Sequence, residues 1–197
     1  LLISLGIKGS LPALEHHNLY FVEAWRENFE AIYDTHDLPT NPSIYICKPS
    51  ATDPTAAPEG HENIFILVPL PSGKALLDTE ISQLRDLAIN RLANIANVPD
   101  IAERIVTRHI STPQDFGSQF NAWQYNALGG AAHTLRQSAF FRTPNRSRKI
   151  KNLYYVGAGT NPGIGLPMCL LSAQVVYKMV HGIYDTGLLT NLQEPQR

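Results

Sequence analysis

The segment KNLYYVGAGTNPGIGLPMCLLSAQVVYKMVHG, residues 151 to 182, concentrates the residues whose types and spacing suit ligand chemistry. Gly157, Gly159, Gly163 and Gly165 crowd nine positions after the aromatic run LYYV, and Pro167 follows where a helix would make its first turn. Glycines at such spacing let a bulky ligand approach the backbone and permit positive φ. The unpaired N–H groups and positive end of the following helix then face that ligand. This is how backbone alone holds a phosphate or the electron-rich edge of a ring. The two cysteines, Cys47 and Cys169, lie far apart and show no metal-ligand spacing, so neither a disulfide framework nor a zinc site is expected. His16 and His17 are adjacent, and on a strand they would point to opposite faces. They are therefore expected not to face one metal, and no metal is assigned.

The glycine segment must be positioned by a strand before it and a helix after it, and the order expected is strand, glycine-rich loop, helix. Its spacing is G-x-G-x-x-x-G-x-G, not the G-x-G-x-x-G of a dinucleotide-binding unit, which also needs a second parallel strand roughly 30 residues on. Only IYDTGLLTNLQEPQR follows the helix. The segment therefore reads as the closing strand and helix of a nucleotide-binding domain whose opening half lies elsewhere.

Upstream, LLISLGIKG and HHNLYFVE read as strands, and WRENFEAIYD spaces Trp25, Phe29 and Ile32 for a helix. SIYICKP and NIFILVPLP are expected as neighbouring strands joined by a Pro-rich loop. From Asp78 to Val98 a 3.6-residue period in Ile81, Leu84, Leu87, Ala88, Leu92 and Ile95 predicts a helix that Pro99 ends. ERIVTRHIS alternates like a strand, and STPQDF starts a helix with Thr112 as cap and Pro113 in its first turn. Residues 116–141 mix Gly, Asn and aromatics and are expected as short helices and loop. The apolar stretch IGLPMCLLSAQVVYKMV is interrupted by Pro167, Gln174 and Lys178 and is shorter than a membrane span needs. It is expected as a helix buried within protein.

Of the 197 residues, 44% are apolar and 17% charged, which excludes an intrinsically disordered chain. The net charge of −1 excludes a global field for nucleic acid, so no nucleic-acid partner is expected. Charge is nonetheless polarised: residues 1–115 carry fifteen acids and eight bases, whereas residues 116–184 carry seven bases and no acid. Five of those bases lie between Arg142 and Lys151. This run suits a solvated loop balancing the acidic front half, a phosphate-bearing cofactor, or an anionic membrane surface. The opening LLISLGIKGSLP lacks the charged n-region and cleavage site of a secretory signal, and the first residue is Leu, as expected of a chain cut from something larger.

NLYYVGAGTNPGIGLPMCLLSA resembles the C-terminal flavin-binding motif of the bacterial and fungal type of phytoene desaturase, a carotenoid-pathway branch of the amine-oxidase-like flavoproteins. The resemblance continues through LGIKGSLPALEHHNLYF, SIYICKPSATDPTAAPEGHENIFILVPLP, and PQDF with HTLRQSAFFRTPNRS, four blocks in order over most of the chain. It implies an α/β chain: an α+β substrate domain over residues 1–146, the closing strand and helix of a Rossmann-like FAD-binding domain over 147–184, and a polar tail over 185–197. The whole is expected as an incomplete two-domain flavoprotein. The implied activity is FAD-dependent desaturation of a C40 precursor, phytoene toward lycopene or a related polyene. The implied partners are that hydrophobic substrate and a membrane surface, reached peripherally from the cytoplasm.

The resemblance assigns cofactor binding to Gly157, Ala158, Gly159, Thr160, Gly163, Gly165 and Met168. Many amine-oxidase-like relatives carry an acid at the position of Ala158, so here backbone groups would hold that end of FAD, with the Met168 N–H toward the flavin ring. His133 is a candidate proton acceptor near the ring, or a core histidine. Phe116, Phe120, Trp123 and Tyr125 suit either a polyene tunnel or ordinary core, since a hydrocarbon offers only apolar area and π faces. The alternative to a desaturase is a non-catalytic remnant or interaction piece that cannot hold FAD alone.

Overall fold

The computed structural model describes residues 1–126 and 141–189. It divides into two compact units, Leu1–Tyr125 and Asn126–Arg197. The first is built on one antiparallel sheet of five strands: β1 (Leu2–Lys8), β2 (His17–Tyr20), β3 (Ile44–Cys47), β4 (His61–Leu67) and β5 (Ile105–Ser111), in spatial order β2-β3-β4-β1-β5. β3 and β4 are neighbours, as their paired apolar runs predict. Register aligns Ile46 with Ile66, Ile66 with Ile3, and Ile3 with Ile110, so one face carries a continuous β-branched row. Ile3, Ile7, Ile46, Ile64 and Ile66 on that face have no solvent exposure.

Helix α1 (Trp25–Glu30) continues through a π-helical turn to Thr35. Ile32 is buried there, while Trp25 and Phe29 keep about half their surface in solvent. The long helix α2 (Asp78–Ala96) has the predicted period: Leu84, Ala88, Ile89 and Leu92 join the sheet's apolar residues in one core. Asn97 ends it in the left-handed conformation, two residues before Pro99. Helix α3 (Pro113–Phe120) starts as its sequence predicts. The Thr112 hydroxyl accepts the Asp115 N–H, and the Asp115 carboxylate accepts the Thr112 N–H at 2.7 Å.

One expectation fails in this unit, and one of two alternatives is removed. His16 and His17 do not diverge: their ring centroids are 4.3 Å apart. His16 occupies a bend one residue before β2, where strand alternation does not yet apply. The four aromatics do not form core: Phe116 is half-buried and Phe120, Trp123 and Tyr125 are exposed. Tyr125 lies over Gly117, where a Cβ would come within 2.5 Å of its ring.

In the second unit the described residues hold one helix, α4 (Leu166–His181), ended by Gly182 with φ 64°. The expected strand LYYV is absent. Tyr154 makes a single bridge to Arg146, and Thr160 one to Thr143. A strand exists only by pairing, and residues 143–146 offer too short a partner for more than isolated bridges. Helix α4 is not buried either: Leu166 and Leu170 are 84% and 73% exposed, and Ser172 is its one buried residue among those described. No helix among the described residues is long and apolar enough to cross a membrane.

Candidate functional site

The loop from Gly157 to Gly165 is held by a polar hub under its start. Ser172, fully buried on α4, accepts the Gly157 N–H at 3.1 Å and the Asn145 side-chain amide at 3.0 Å. The same Asn145 amide donates to the Asn161 carbonyl at 2.8 Å and the Tyr155 carbonyl at 3.2 Å, and the Asn145 carbonyl accepts the Tyr155 N–H. One buried amide thus ties the approach to the loop and its middle to the helix that follows it. Buried polar groups carry a large penalty unless paired, so the network specifies the loop as well as stabilising it.

Within that frame Thr160 is buried, and its hydroxyl donates to the Thr143 carbonyl at 2.7 Å. The hydroxyl faces the loop's own scaffold. Arg142 donates to the Ala158 carbonyl at 2.7 Å, so one of the five basic residues is committed to the loop backbone. Arg146, Arg148, Lys149 and Lys151 stand exposed.

Gly157, Gly163 and Gly165 adopt φ of 111°, 146° and 110°, conformations that L side chains rarely take. Nothing lies within 4 Å of a Cβ built on Gly157, so that position opens to space, whereas at Gly163 a Cβ would rest on the Arg142 guanidinium at 3.6 Å. Gly165 is the cap of α4, and the first bond in that turn runs from the Cys169 N–H to the Gly165 carbonyl. Pro167 has no N–H, so the first-turn donors left over are those of Leu166 and Met168. Met168 is half-buried, Gly159 and Gly165 are exposed, and Ala158 is half-buried. Ala158, Gly159 and Gly165 through Met168 thus keep solvent exposure on either side of the buried Thr160 and Gly163, with no ionisable side chain between Gly157 and Met168.

His133 lies outside the described residues. Asn145, Ser172 and Arg142 were not singled out from sequence as site residues. The available signal was a serine inside the otherwise apolar run MCLLSAQVV, since a polar group there needs a buried partner.

No family model matches the chain. It is 40% identical over 173 residues to carotenoid 3,4-desaturase of Haloarcula japonica, an alignment covering 88% of this chain and 34% of that protein. It is 36% identical over 179 residues to 4,4'-diapolycopene oxygenase of Methylomonas sp, covering 89% of this chain and 36% of the relative. Phytoene desaturase of Fusarium fujikuroi is 32% identical over 205 residues, covering 92% and 35% respectively. Over about nine-tenths of its own length the chain is homologous to carotenoid-modifying oxidoreductases, phytoene and carotenoid desaturases among them, and it spans about a third of theirs.

Proposed function

We propose that the chain is the C-terminal part of an FAD-dependent carotenoid desaturase, acting on a C40 precursor such as phytoene. The observation that carries this reading is the 40% identity to a carotenoid 3,4-desaturase over 88% of the chain. The glycine loop supports it, because its backbone is fit to hold a flavin nucleotide without a charged side chain. Residues 147–184 are read as the closing part of the FAD-binding domain and residues 1–146 as part of the substrate domain.

In this reading Gly157, Ala158 and Gly159 would line the cofactor, Gly163 and Gly165 turn the chain, and the Leu166 and Met168 N–H groups would be free to donate to it at the helix start. Ser172 and Asn145 keep the loop in that shape before the cofactor arrives, which reduces the ordering cost of binding. Bound flavin supplies a hydride acceptor, the chemistry that removal of two hydrogens from a saturated C–C pair requires. With that step carried by the cofactor, no Ser-His-Asp or Cys-His arrangement is needed. A polyene gives the protein only apolar area and π surface to grip. A substrate dissolved in lipid also favours peripheral attachment to a membrane from the cytoplasmic side.

Expression of the gene's complete reading frame in cells that accumulate phytoene tests the reading. Conversion to a longer conjugated polyene, seen as a red shift of the extracted pigment, is the expected result. A folded, flavin-loaded product that leaves phytoene unchanged in every lipid background would overturn the desaturase assignment. A folded product without flavin would favour the remnant.

A further inference from the structure

We propose that His16, His17 and Cys47 form a binding site for a borderline-soft divalent cation of the zinc type, clipping the edge strand β2 to β3. One donor atom from each of the three side chains lies within 4.8 Å of the other two. The register sets His17 directly opposite Cys47, and the bend before β2 swings the His16 ring back beside that of His17.

The hydrogen bonds around the cluster prepare the rings for a metal. His16 Nδ1 is 2.6 Å from the Thr52 hydroxyl, which itself donates to the Pro49 carbonyl and so is left to accept. His17 Nδ1 is 2.7 Å from the Tyr45 hydroxyl, which lies against the Cys47 sulfur. In the tautomer in which each Nδ1 donates to its hydroxyl partner, the Nε2 lone pair is left for coordination. A metal-bound imidazole usually donates its other ring N–H to a carboxylate, a backbone carbonyl or water, and a hydroxyl oxygen is an acceptor of the same kind as that water.

Two imidazoles and a thiolate suit zinc, and oxygen-seeking calcium or magnesium would be rejected. With bond lengths of about 2.0–2.3 Å, tetrahedral ligands stand roughly 3.3–3.6 Å apart, so the side chains need close by at most about 1.5 Å. All three are at least partly exposed, which leaves room for that adjustment and for water as fourth ligand. On binding, the Cys47 thiol releases its proton to solvent as the sulfur–metal bond forms.

The test is titration of the chelator-stripped full chain with Co²⁺. One equivalent should bind with a thiolate-to-cobalt charge-transfer band that Zn²⁺ abolishes by displacement. The band should persist in Cys169→Ser and vanish in Cys47→Ser, while His16→Ala and His17→Ala each weaken binding about tenfold or more, the scale on which even outer partners act. Zn²⁺ should raise the melting temperature of the unmodified chain and leave that of Cys47→Ser unmoved. Absence of the band, its survival in Cys47→Ser, or affinity untouched by both histidine variants would overturn the proposal. Far-UV circular dichroism on each variant separates loss of ligand from loss of fold.

Discussion

The buried Ser172 hydroxyl accepts both the Gly157 N–H, at 3.1 Å, and the Asn145 side-chain amide, at 3.0 Å, so a single oxygen joins the glycine loop to the helix after it. Removing it leaves the Gly157 N–H without its acceptor and takes one of three acceptors from the Asn145 amide. Ser172→Ala should destabilise the second unit by about 1–3 kcal/mol. The accompanying sign is faster hydrogen exchange at the Gly157 amide. Combined with Asn145→Ala the losses should fall short of additive, since both changes break one network. Fully additive losses would show that the two residues act separately.

Gly163 combines φ 146° with a guanidinium 3.6 Å from its would-be Cβ. Gly163→Val in the complete protein should release flavin, and not merely slow turnover, because a β-branched residue cannot hold that backbone conformation. Flavin absorbance per folded protein is the measurement. Unchanged occupancy would place the cofactor away from this loop.

Gly6 lies opposite Thr107 in the β1–β5 ladder, where a Cβ would come within 2.6 Å of the Thr107 methyl. Gly6→Ala should therefore cost about 1–3 kcal/mol through overpacking. Thr107→Ser removes the offending methyl, so the double variant should recover most of that loss in urea denaturation. If Thr107→Ser fails to rescue, the glycine is needed for a reason other than that methyl.

The Asp115 carboxyl is held below the usual carboxylate range, chiefly by the Thr112 backbone N–H and then by the Thr112 hydroxyl. Because the folded value is depressed, its contribution is present above the ordinary carboxylate pKa of about 3.9 and is lost as pH falls through the folded value. Asp115→Asn should lower stability at pH 7 by about 0.5–1 kcal/mol, a capping-scale loss kept small by solvent around the carboxylate. The difference between variant and parent should shrink below pH 4. A difference that grows on acidification would refute the assignment.

Four exposed bases, Arg146, Arg148, Lys149 and Lys151, flank Ile150, itself 58% exposed. If they meet an anionic leaflet, each contributes about 1 kcal/mol, screened by salt. Liposome co-sedimentation of the complete protein should then fall at high salt, without anionic lipid, and in the fourfold Gln variant. Arg142→Gln alone should act differently, through loss of its bond to the Ala158 carbonyl. Binding indifferent to all three changes would leave apolar contact as the sole attachment.

The sequence by itself determined what depends on local pattern. The period of Leu84, Ala88 and Leu92, the cap at Thr112 and Pro113, and the apolar runs of β3 and β4 all emerge where read, because propensity and one-sided burial are written residue by residue. The glycines at 157, 163 and 165 were legible for the same reason: few other residues take those φ values. Tertiary structure decided what depends on partners distant in sequence. LYYV is as aromatic and apolar as a strand should be, yet with no adjacent strand among the described residues it makes one bridge. Ser172 and Asn145, 27 residues apart, become one network only when the chain folds back on itself. His16 and His17, adjacent in sequence and expected to diverge, converge on Cys47 because a bend outside the strand and a register across β2 and β3 place them there. Spacing along a chain fixes which way a side chain points only inside a regular element, and these three lie at the edge of one.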